Sequence, residues 1–148
     1  MMEIRPLQID NFFDKYANRF NRSLKGEMLE IDATTQSFAV CFIEASPLGV
    51  NCGKNDENFR AMIPQGYAFY KSIGITSMNI ISKETTLLDN YHAMTKIHWR
   101  CDFIRKDNFI GSIEFDVIYF LQTIENEFKI FAYITGDEQK AMKENGLI

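Results

Sequence analysis

Residues 92–104 read HAMTKIHWRCDFI, residues 113–121 read IEFDVIYFL and residues 129–135 read KIFAYIT. In all three segments apolar side chains alternate with polar or mixed ones. A period of two over this length is typical of β-strands with one buried face. The segments therefore predict a half-buried antiparallel sheet, with Trp99 on the buried face and its neighbour His98 on the other. Helices that precede the sheet in the chain must cover its apolar face.

The charges of the first two strands predict how they pair. Residues 105–108 form the predicted turn, and Arg105 faces Phe109 across it. A slip of one residue would exchange the two faces of the sheet, so burial forbids it. The predicted partners are Arg100 with Glu114, His98 with Asp116, and Trp99 with Phe115.

The second hairpin turns at residues 125–126 and leaves an apolar patch on the face that should contact water. Such a patch usually marks a contact with a partner, and twofold self-association is the most common assembly. We therefore expect a homodimer; the alternative is a terminal helix, residues 137–145, folded over the patch. The predicted pairs are Leu121 with Ile130 and Tyr119 with Ala132 inside, and Phe120 with Phe131 and Ile118 with Tyr133 outside. The expected dimer interface is Ile118, Phe120, Phe131 and Tyr133, with Met94 nearby.

The first half of the chain predicts three helices, because its apolar residues recur every three or four positions. Caps and prolines set the predicted ends of these helices. The first predicted helix runs from Pro6 to Gly26, and the second is capped by Asp32 and carries Phe38, Cys41, Phe42 and Ala45. A loop or short strand over residues 51–55 leads to the third helix, which Asn55 or Asp56 caps and Pro64 kinks. A short strand over residues 75–81 and a connection over residues 84–90 follow.

The composition is that of an ordinary globular protein, with 148 residues in one predicted domain (1–148) and a net charge of −4. This charge argues against a nucleic-acid partner, because binding to phosphates depends on clustered Lys and Arg. The apolar runs are too short to span a membrane, and the segment MMEIRPLQIDN lacks the apolar core of a secretion signal. Cys41, Cys52 and Cys101 lack the spacing of metal ligands. We expect a cytoplasmic protein with buried free thiols, no metal and no cofactor.

The order of helix, helix, a turn with Pro-x-Gly at residues 47–49, helix and then a curled sheet resembles the nuclear-transport-factor-2-like superfamily, which includes the ketosteroid isomerases and the SnoaL-like proteins. The resemblance covers most of the chain. It implies an α+β, cystatin-like fold: a cone-shaped curved antiparallel sheet packed on three amino-terminal helices. It also implies a small apolar ligand in the cone and dimerisation through the sheet.

The ketosteroid isomerases allow a comparison residue by residue. Tyr16, in the segment DKYA (14–17), matches the tyrosine of their first helix that donates to the substrate oxygen. Their general base, an aspartate immediately before Pro-x-Gly, corresponds to Ser46, whose hydroxyl is not a carboxylate base. Their second donor, an inward acid on the penultimate strand, corresponds to Val117, beside the outward Asp116. One role of three is retained, which argues against isomerase chemistry by this mechanism.

The pairing of His98 with Asp116 has two interpretations. A histidine oriented by a carboxylate is an acid–base pair, whereas cross-strand charge pairing contributes about 0.2–1 kcal/mol per pair. Charge pairing is favoured, because the sequence places no nucleophile beside the pair.

Aromatic residues with polar tips occupy the predicted interior, where each tip needs a hydrogen-bond partner. Several such tips describe either a small-molecule pocket or an ordinary aromatic core. We expect a protein that binds a small, largely apolar molecule. The alternatives are a cofactor-free isomerase, dehydratase or cyclase with Tyr16 as donor, and a non-catalytic interaction module. The predicted pocket consists of Tyr16, Phe20, Asn51, Tyr67, Tyr70, Trp99, Val117 and Tyr119.

Overall fold

The computed structural model describes residues 3–27 and 29–148. Helices and strands in these ranges follow the order α1 (Pro6–Leu24), α2 (Ile31–Gln36), β1 (Phe38–Ser46), β2 (Gly49–Lys54), α3 (Glu57–Ser72), β3 (Ile75–Leu87), β4 (His92–Ile104), β5 (Ile110–Ile124), β6 (Glu127–Ile134) and α4 (Glu138–Glu144).

The strands form one curved sheet in the order β2-β1-β6-β5-β4-β3. Neighbouring strands are antiparallel except β1 and β6, which run parallel. The core lies between α1 and the inner face of the sheet, where Phe13, Ile97 and Leu121 are fully buried. This architecture confirms the predicted α+β class and the curved sheet, while the parallel β1–β6 pair was not predicted.

Helix α1 occupies the predicted segment and buries Phe13 on its apolar stripe. Its end is a Schellman motif. The N–H of Gly26 donates to the carbonyl of Ser23 (3.2 Å), and the N–H of Glu27 donates to the carbonyl of Arg22 (3.2 Å). Gly26 has a φ of +80°, which a residue without Cβ adopts at little cost. Within the described ranges, no helix has the length and apolar character needed to cross a membrane.

The predicted second helix is wrong over residues 38–45. Helix α2 ends at Gln36, and residues 38–46 form strand β1. Phe38 and Phe42, four residues apart, share a face in a helix and also in a strand, so their spacing did not distinguish the two. Val40, Phe42 and Ile43 favour a strand, and pairing with both β2 and β6 stabilises it.

The third helix was predicted correctly in place and cap. The Asp56 carboxylate accepts a hydrogen bond from the Phe59 N–H (3.1 Å), and α3 continues through Pro64. The following strand is longer than predicted, because β3 extends to Leu87 and pairs with β4 over its whole length. Its last part lacks apolar alternation, and inward Thr85 hydrogen-bonds to Thr95 (3.0 Å) instead.

The first hairpin has the predicted register: Arg100 pairs with Glu114, His98 with Asp116 and Trp99 with Phe115. The second hairpin has the predicted Leu121–Ile130 pair, but a β-bulge follows between Phe120 and Leu121. The bulge adds one residue to β6, so every later residue of that strand changes face. The observed pairs beyond it are Phe120 with Ala132, Tyr119 with Tyr133 and Ile118 with Ile134. The prediction that Tyr133 faces outward is therefore wrong.

The carboxyl-terminal helix α4 lies at the open end of the inner face, where Met142 is buried. The Tyr70 hydroxyl of α3 donates to Glu138 at its start (2.7 Å), and Arg105 donates to the carbonyl of Asn145 at its end (3.3 Å). The alternative in which this helix covers the outer patch is wrong, and the patch stays exposed to solvent.

Candidate functional site

A cavity of about 510 Å³ lies between α1, α4 and the inner face of the sheet. A second cavity of about 620 Å³ adjoins it, bordered by α3, β1 and β2. Six of the predicted pocket residues line the first cavity, and Tyr67 lines the second. Asn51, contrary to prediction, lines neither, because it is exposed on the edge strand β2. The six are Tyr16, Phe20, Tyr70, Trp99, Val117 and Tyr119.

Tyr16 presents a hydroxyl group to both cavities. Within residues 3–27 and 29–148 this hydroxyl has no hydrogen-bond partner. Burial raises the pKa of Tyr16 to about 12, aided by nearby Tyr67 and opposed by Arg19. The Arg19 guanidinium lies over the Tyr16 ring, 5.4 Å from its centroid. Tyr16 is therefore a neutral hydrogen-bond donor that is held in place by its ring.

Trp99 and Tyr119 form a buried pair on the sheet wall of the cavity. The Trp99 Nε1–H donates to the Tyr119 hydroxyl (3.2 Å), and both side chains are almost fully buried. Burial raises the pKa of Tyr119 well above its usual value. This hydrogen bond satisfies the indole, so the pair forms a rigid aromatic wall.

Three carboxylates, those of Glu44, Asp137 and Glu138, line the first cavity, and two of them accept a hydrogen bond from a tyrosine. The Tyr133 hydroxyl donates to Glu44 on β1 (3.0 Å), and the Tyr70 hydroxyl donates to Glu138 on α4 (2.7 Å). Burial, followed by the charge of the neighbouring glutamate, raises the pKa of both tyrosines. Both tyrosines therefore stay protonated as donors.

Sequence reasoning missed these acids for two reasons. The sequence pattern predicts a helix at Glu44 and therefore gives it no place on the sheet. In a strand, Glu44 and Phe42 are two residues apart and share the inner face. Glu138 enters the sequence analysis only as part of the terminal helix that, in the alternative to a dimer, covers the outer face. Tyr133 was assigned to the outer face because the bulge in β6 gives no signal in a single sequence.

The positions of the isomerase motif hold no carboxylate. Ser46 ends β1, and its hydroxyl accepts a hydrogen bond from the Leu48 N–H (3.1 Å). Val117 is buried and faces the cavity, whereas Asp116 lies on the opposite face of the sheet. The base and second donor of that mechanism are therefore missing from these two positions.

The thiols differ from the expectation that all three are buried. Cys101 is buried on the cavity wall, while Cys41 and Cys52 are exposed. Burial, with a smaller contribution from Asp102, raises the pKa of Cys101 to about 12. A thiol with this pKa is protonated near neutral pH, which makes Cys101 a poor nucleophile.

The histidine on the outer face belongs to a network of charges. His98 Nδ1 lies 2.7 Å from Asp116, and Nε2 lies 2.8 Å from Glu114. Lys96 adds a longer contact to Asp116 (3.7 Å), and Arg100 pairs with Asp102 on its own strand. Hydrogen bonds that the ring donates to Asp116 and Glu114 raise the pKa of His98. Because both ring nitrogens face carboxylates, the geometry fits a charged imidazolium in a structural network.

The apolar patch on the outer face is larger than predicted. Ile118, Phe120 and Phe131 remain on it, while Tyr133 points inward and contacts the rings of Phe38, Phe42 and Tyr119. The register of β1 with β6 adds residues from β1, and the register of β5 with β6 adds Ile134. The outer patch, as defined by these pairings, consists of Ile43, Ala45, Ile118, Phe120, Phe131, Ala132 and Ile134.

A curved sheet that encloses a cavity with helices defines an α+β domain of the cystatin-like kind. Residues 5–138 match the family described as NTF2-like protein (DUF6841), and the chain belongs to this family. The resemblance to the nuclear-transport-factor-2-like superfamily is thereby confirmed.

Solved structures support the same fold. An NTF2-like protein with a cystatin-like fold from Novosphingobium aromaticivorans aligns with a TM-score of 0.65 and 12% identity, over 95% of this chain and 86% of that one. An NTF2-like superfamily protein from Salmonella enterica aligns with a TM-score of 0.61 and 11% identity, over 89% and 91%. An NTF-2-like protein of unknown function from Shewanella oneidensis aligns with a TM-score of 0.58 and 17% identity, over 86% and 98%. No curated protein sequence matches the chain.

Proposed function

We propose that this protein binds a small, largely apolar molecule in the cavity between α1, α4 and the sheet. The observation that carries the proposal is a cavity of about 510 Å³ with aromatic walls and one hydrogen-bond donor, the Tyr16 hydroxyl, that has no partner among the described residues. Apolar walls with a few oriented polar groups are typical of small-molecule sites. An open volume of this size argues against an interaction module whose aromatic side chains fill the cone.

Trp99 provides a direct test, because it is the single tryptophan and lies on the cavity wall. We expect 4-phenylbutanol, a probe with an apolar body and one hydroxyl, to change the Trp99 emission saturably. Val117→Phe places a larger side chain in the cavity and should weaken this binding at least about fivefold. The matched control is Val40→Phe, because Val40 is 80% exposed and lies outside both cavities. Equal binding by both variants would overturn the proposal.

The natural ligand is accessible by mass spectrometry. Native mass spectrometry of protein purified from its own host should show a stoichiometric small molecule, which denaturation then releases. This measurement identifies the class of compound whose turnover is to be tested.

A second candidate function is a cofactor-free isomerase, dehydratase or cyclase. It is favoured by the inward carboxylates of Glu44 and Glu138, which a general base requires. Tyr16 would act as the hydrogen-bond donor. If the released ligand is a substrate, Glu44→Gln or Glu138→Gln should abolish turnover while the protein remains folded. Retained turnover in both variants would exclude these acids as the base.

We also propose that two copies associate through the outer patch. Apolar residues that are exposed or half-buried are contiguous there, and the charges of Lys96, His98 and Asp116 lie beside them. Charges of both signs at the edge of an apolar patch favour a defined self-pairing. Light scattering should give twice the 17.2 kDa mass of one chain.

The free thiols of Cys41, Cys52 and Cys101 support a reducing, cytoplasmic location.

A further inference from the structure

The first cavity is charged with one sign only. Among the described residues, its charged lining consists of Glu44, Asp137 and Glu138, with no lysine, arginine or histidine. Asp137 is used in the fold, because its carboxylate caps α4 by accepting from the Lys140 N–H (3.0 Å). Glu44 and Glu138 remain, one on the sheet and the other on the terminal helix.

Glu44 and Glu138 have no cationic partner among the residues that the structure describes. Both residues are exposed, and within residues 3–27 and 29–148 neither forms an ion pair, whereas acids such as Asp14 and Glu30 do. Each accepts one tyrosine hydroxyl, at 3.0 Å and 2.7 Å, which leaves its second carboxylate oxygen available. The tyrosines fix the direction of each carboxylate but do not neutralise its charge.

The aromatic walls beside these acids suit a cation as well. Ring faces attract a cation within about 6 Å of the centroid, and a carboxylate forms its strongest hydrogen bonds with a charged donor. The rings of Tyr70 and Tyr133 lie beside the carboxylates that their hydroxyls contact. Burial raises the pKa of Tyr133, and the charges of both Glu44 and Glu138 raise it further, which places the two acids near one another. Trp99 and Phe115 extend the apolar wall further in.

We infer that the ligand is a cationic amphiphile: an ammonium group held between Glu44 and Glu138, with an apolar body against Trp99. This inference rests on the proposed binding function and specifies the head group of the molecule bound. Tyr16 lines the same cavity, and its hydroxyl, which has no partner among the described residues, is available to a polar atom of the ligand.

Three compounds with one apolar body and different head groups test the inference: 4-phenylbutylamine, 4-phenylbutanol and 4-phenylbutyrate. An alkylamine is charged at pH 7, as the side chain of lysine is. We expect the amine to bind about tenfold more tightly than the alcohol, and the carboxylate to bind most weakly, as measured by Trp99 emission. Added NaCl should weaken binding of the amine and leave that of the alcohol unchanged.

Amide variants locate the effect. Glu44→Gln and Glu138→Gln keep an oxygen that accepts from the tyrosine, so the fold should be retained. In both variants the affinity for the amine should fall toward the affinity for the alcohol. Glu84→Gln, an exposed glutamate of β3 outside the cavity, is the matched control and should bind like the unmodified protein.

The outcomes separate the two proposals. Equal binding of amine and alcohol, without salt dependence, would overturn the cationic ligand and leave the cavity proposal intact. A saturable response to none of the three compounds would overturn both. If an amide variant fails to fold, the salt dependence of the unmodified protein still decides between charged and neutral recognition.

Discussion

At the scale of single residues, the hydroxyl groups of Tyr16 and Tyr119 differ in their hydrogen bonds. Within the described ranges Tyr16 donates to no group, whereas Tyr119 accepts from the Trp99 indole. We expect Tyr16→Phe to leave the free energy of unfolding nearly unchanged and to weaken the binding of 4-phenylbutanol about threefold to tenfold, since one net hydrogen bond contributes about 0.5–1.5 kcal/mol. Unchanged affinity in the fluorescence titration would remove Tyr16 from the site.

Tyr119→Phe is expected to act on stability instead. It leaves the Trp99 Nε1–H buried without an acceptor, which costs about 1–3 kcal/mol. Urea unfolding followed by circular dichroism measures this loss. A variant as stable as the unmodified protein would show that the indole finds another acceptor and that the wall is not held by this bond.

His98 makes the stability of the fold depend on pH. Hydrogen bonds that the ring donates to Asp116 and Glu114 raise its folded-state pKa above the value of about 6.5 expected in the unfolded chain. The stabilisation is therefore fully present below pH 6.5 and is lost as the pH rises through the folded-state pKa. Asp116 has the opposite dependence, because His98 lowers its pKa, and its contribution is lost in acid.

Because the stabilisation by His98 is lost as the pH rises, replacing His98 should cost more stability at low pH than at high pH. The difference in unfolding free energy between the unmodified protein and His98→Gln should be larger at pH 6 than at pH 9. A proton NMR titration of the ring gives the pKa directly, and Glu114→Gln should lower it. A ring pKa at or below 6.5 in the unmodified protein would contradict the network.

At the scale of secondary-structure elements, the connection from α3 to β3 depends on one glycine. Gly74 has a φ of +97°, and a Cβ there would lie 2.0 Å from the carbonyl oxygen of Ile104. That oxygen belongs to β4, whose Ile104 N–H also donates to Gly74 (2.9 Å). Gly74→Ala is therefore expected to destabilise the protein by about 3 kcal/mol or more.

Gly66 provides the matched control in the preceding helix. It lies inside α3, and a Cβ there would meet no atom within 4 Å. Gly66→Ala should stabilise the protein by about 0.5–1 kcal/mol, because alanine loses less backbone entropy in a helix. Urea unfolding of both variants should give shifts of opposite sign, and shifts of the same sign would contradict this account of the connection.

Elements also show what the sequence could and could not predict. The β4–β5 hairpin was registered correctly because alternation and the paired charges of His98 and Asp116 agree. The outward assignment of Tyr133 failed because a single extra residue in β6 reverses the faces and leaves no mark in composition or spacing. Residues 38–45 were predicted as a helix because the spacing of Phe38 and Phe42 fits both a helix and a strand, and because one of the two strands that pair with β1 is β6, about ninety residues later in the chain.

At the scale of the whole molecule, these errors in single elements changed the site more than the fold. The α+β class follows from three strands and the helices that must cover them, and it tolerates one misassigned segment. The acidic part of the cavity cannot be predicted when one segment is misassigned, because Glu44 and Tyr133 meet only when β1 and β6 run side by side. A site built from distant elements is therefore predicted poorly even where the architecture is predicted well.

The outer patch yields the last prediction, which the corrected register makes specific. Phe120 on β5 and Ile43 on β1 lie on the solvent side of the sheet, and Ile43 is 44% exposed. A charge placed in the centre of an apolar interface is desolvated without a partner, so Phe120→Asp and Ile43→Asp should both give monomers by light scattering. Tyr133→Phe should remain dimeric, because Tyr133 faces the cavity. Should Tyr133→Phe dissociate while Ile43→Asp stays dimeric, the two copies do not meet through this face, and the association would have to involve the residues around the cavity.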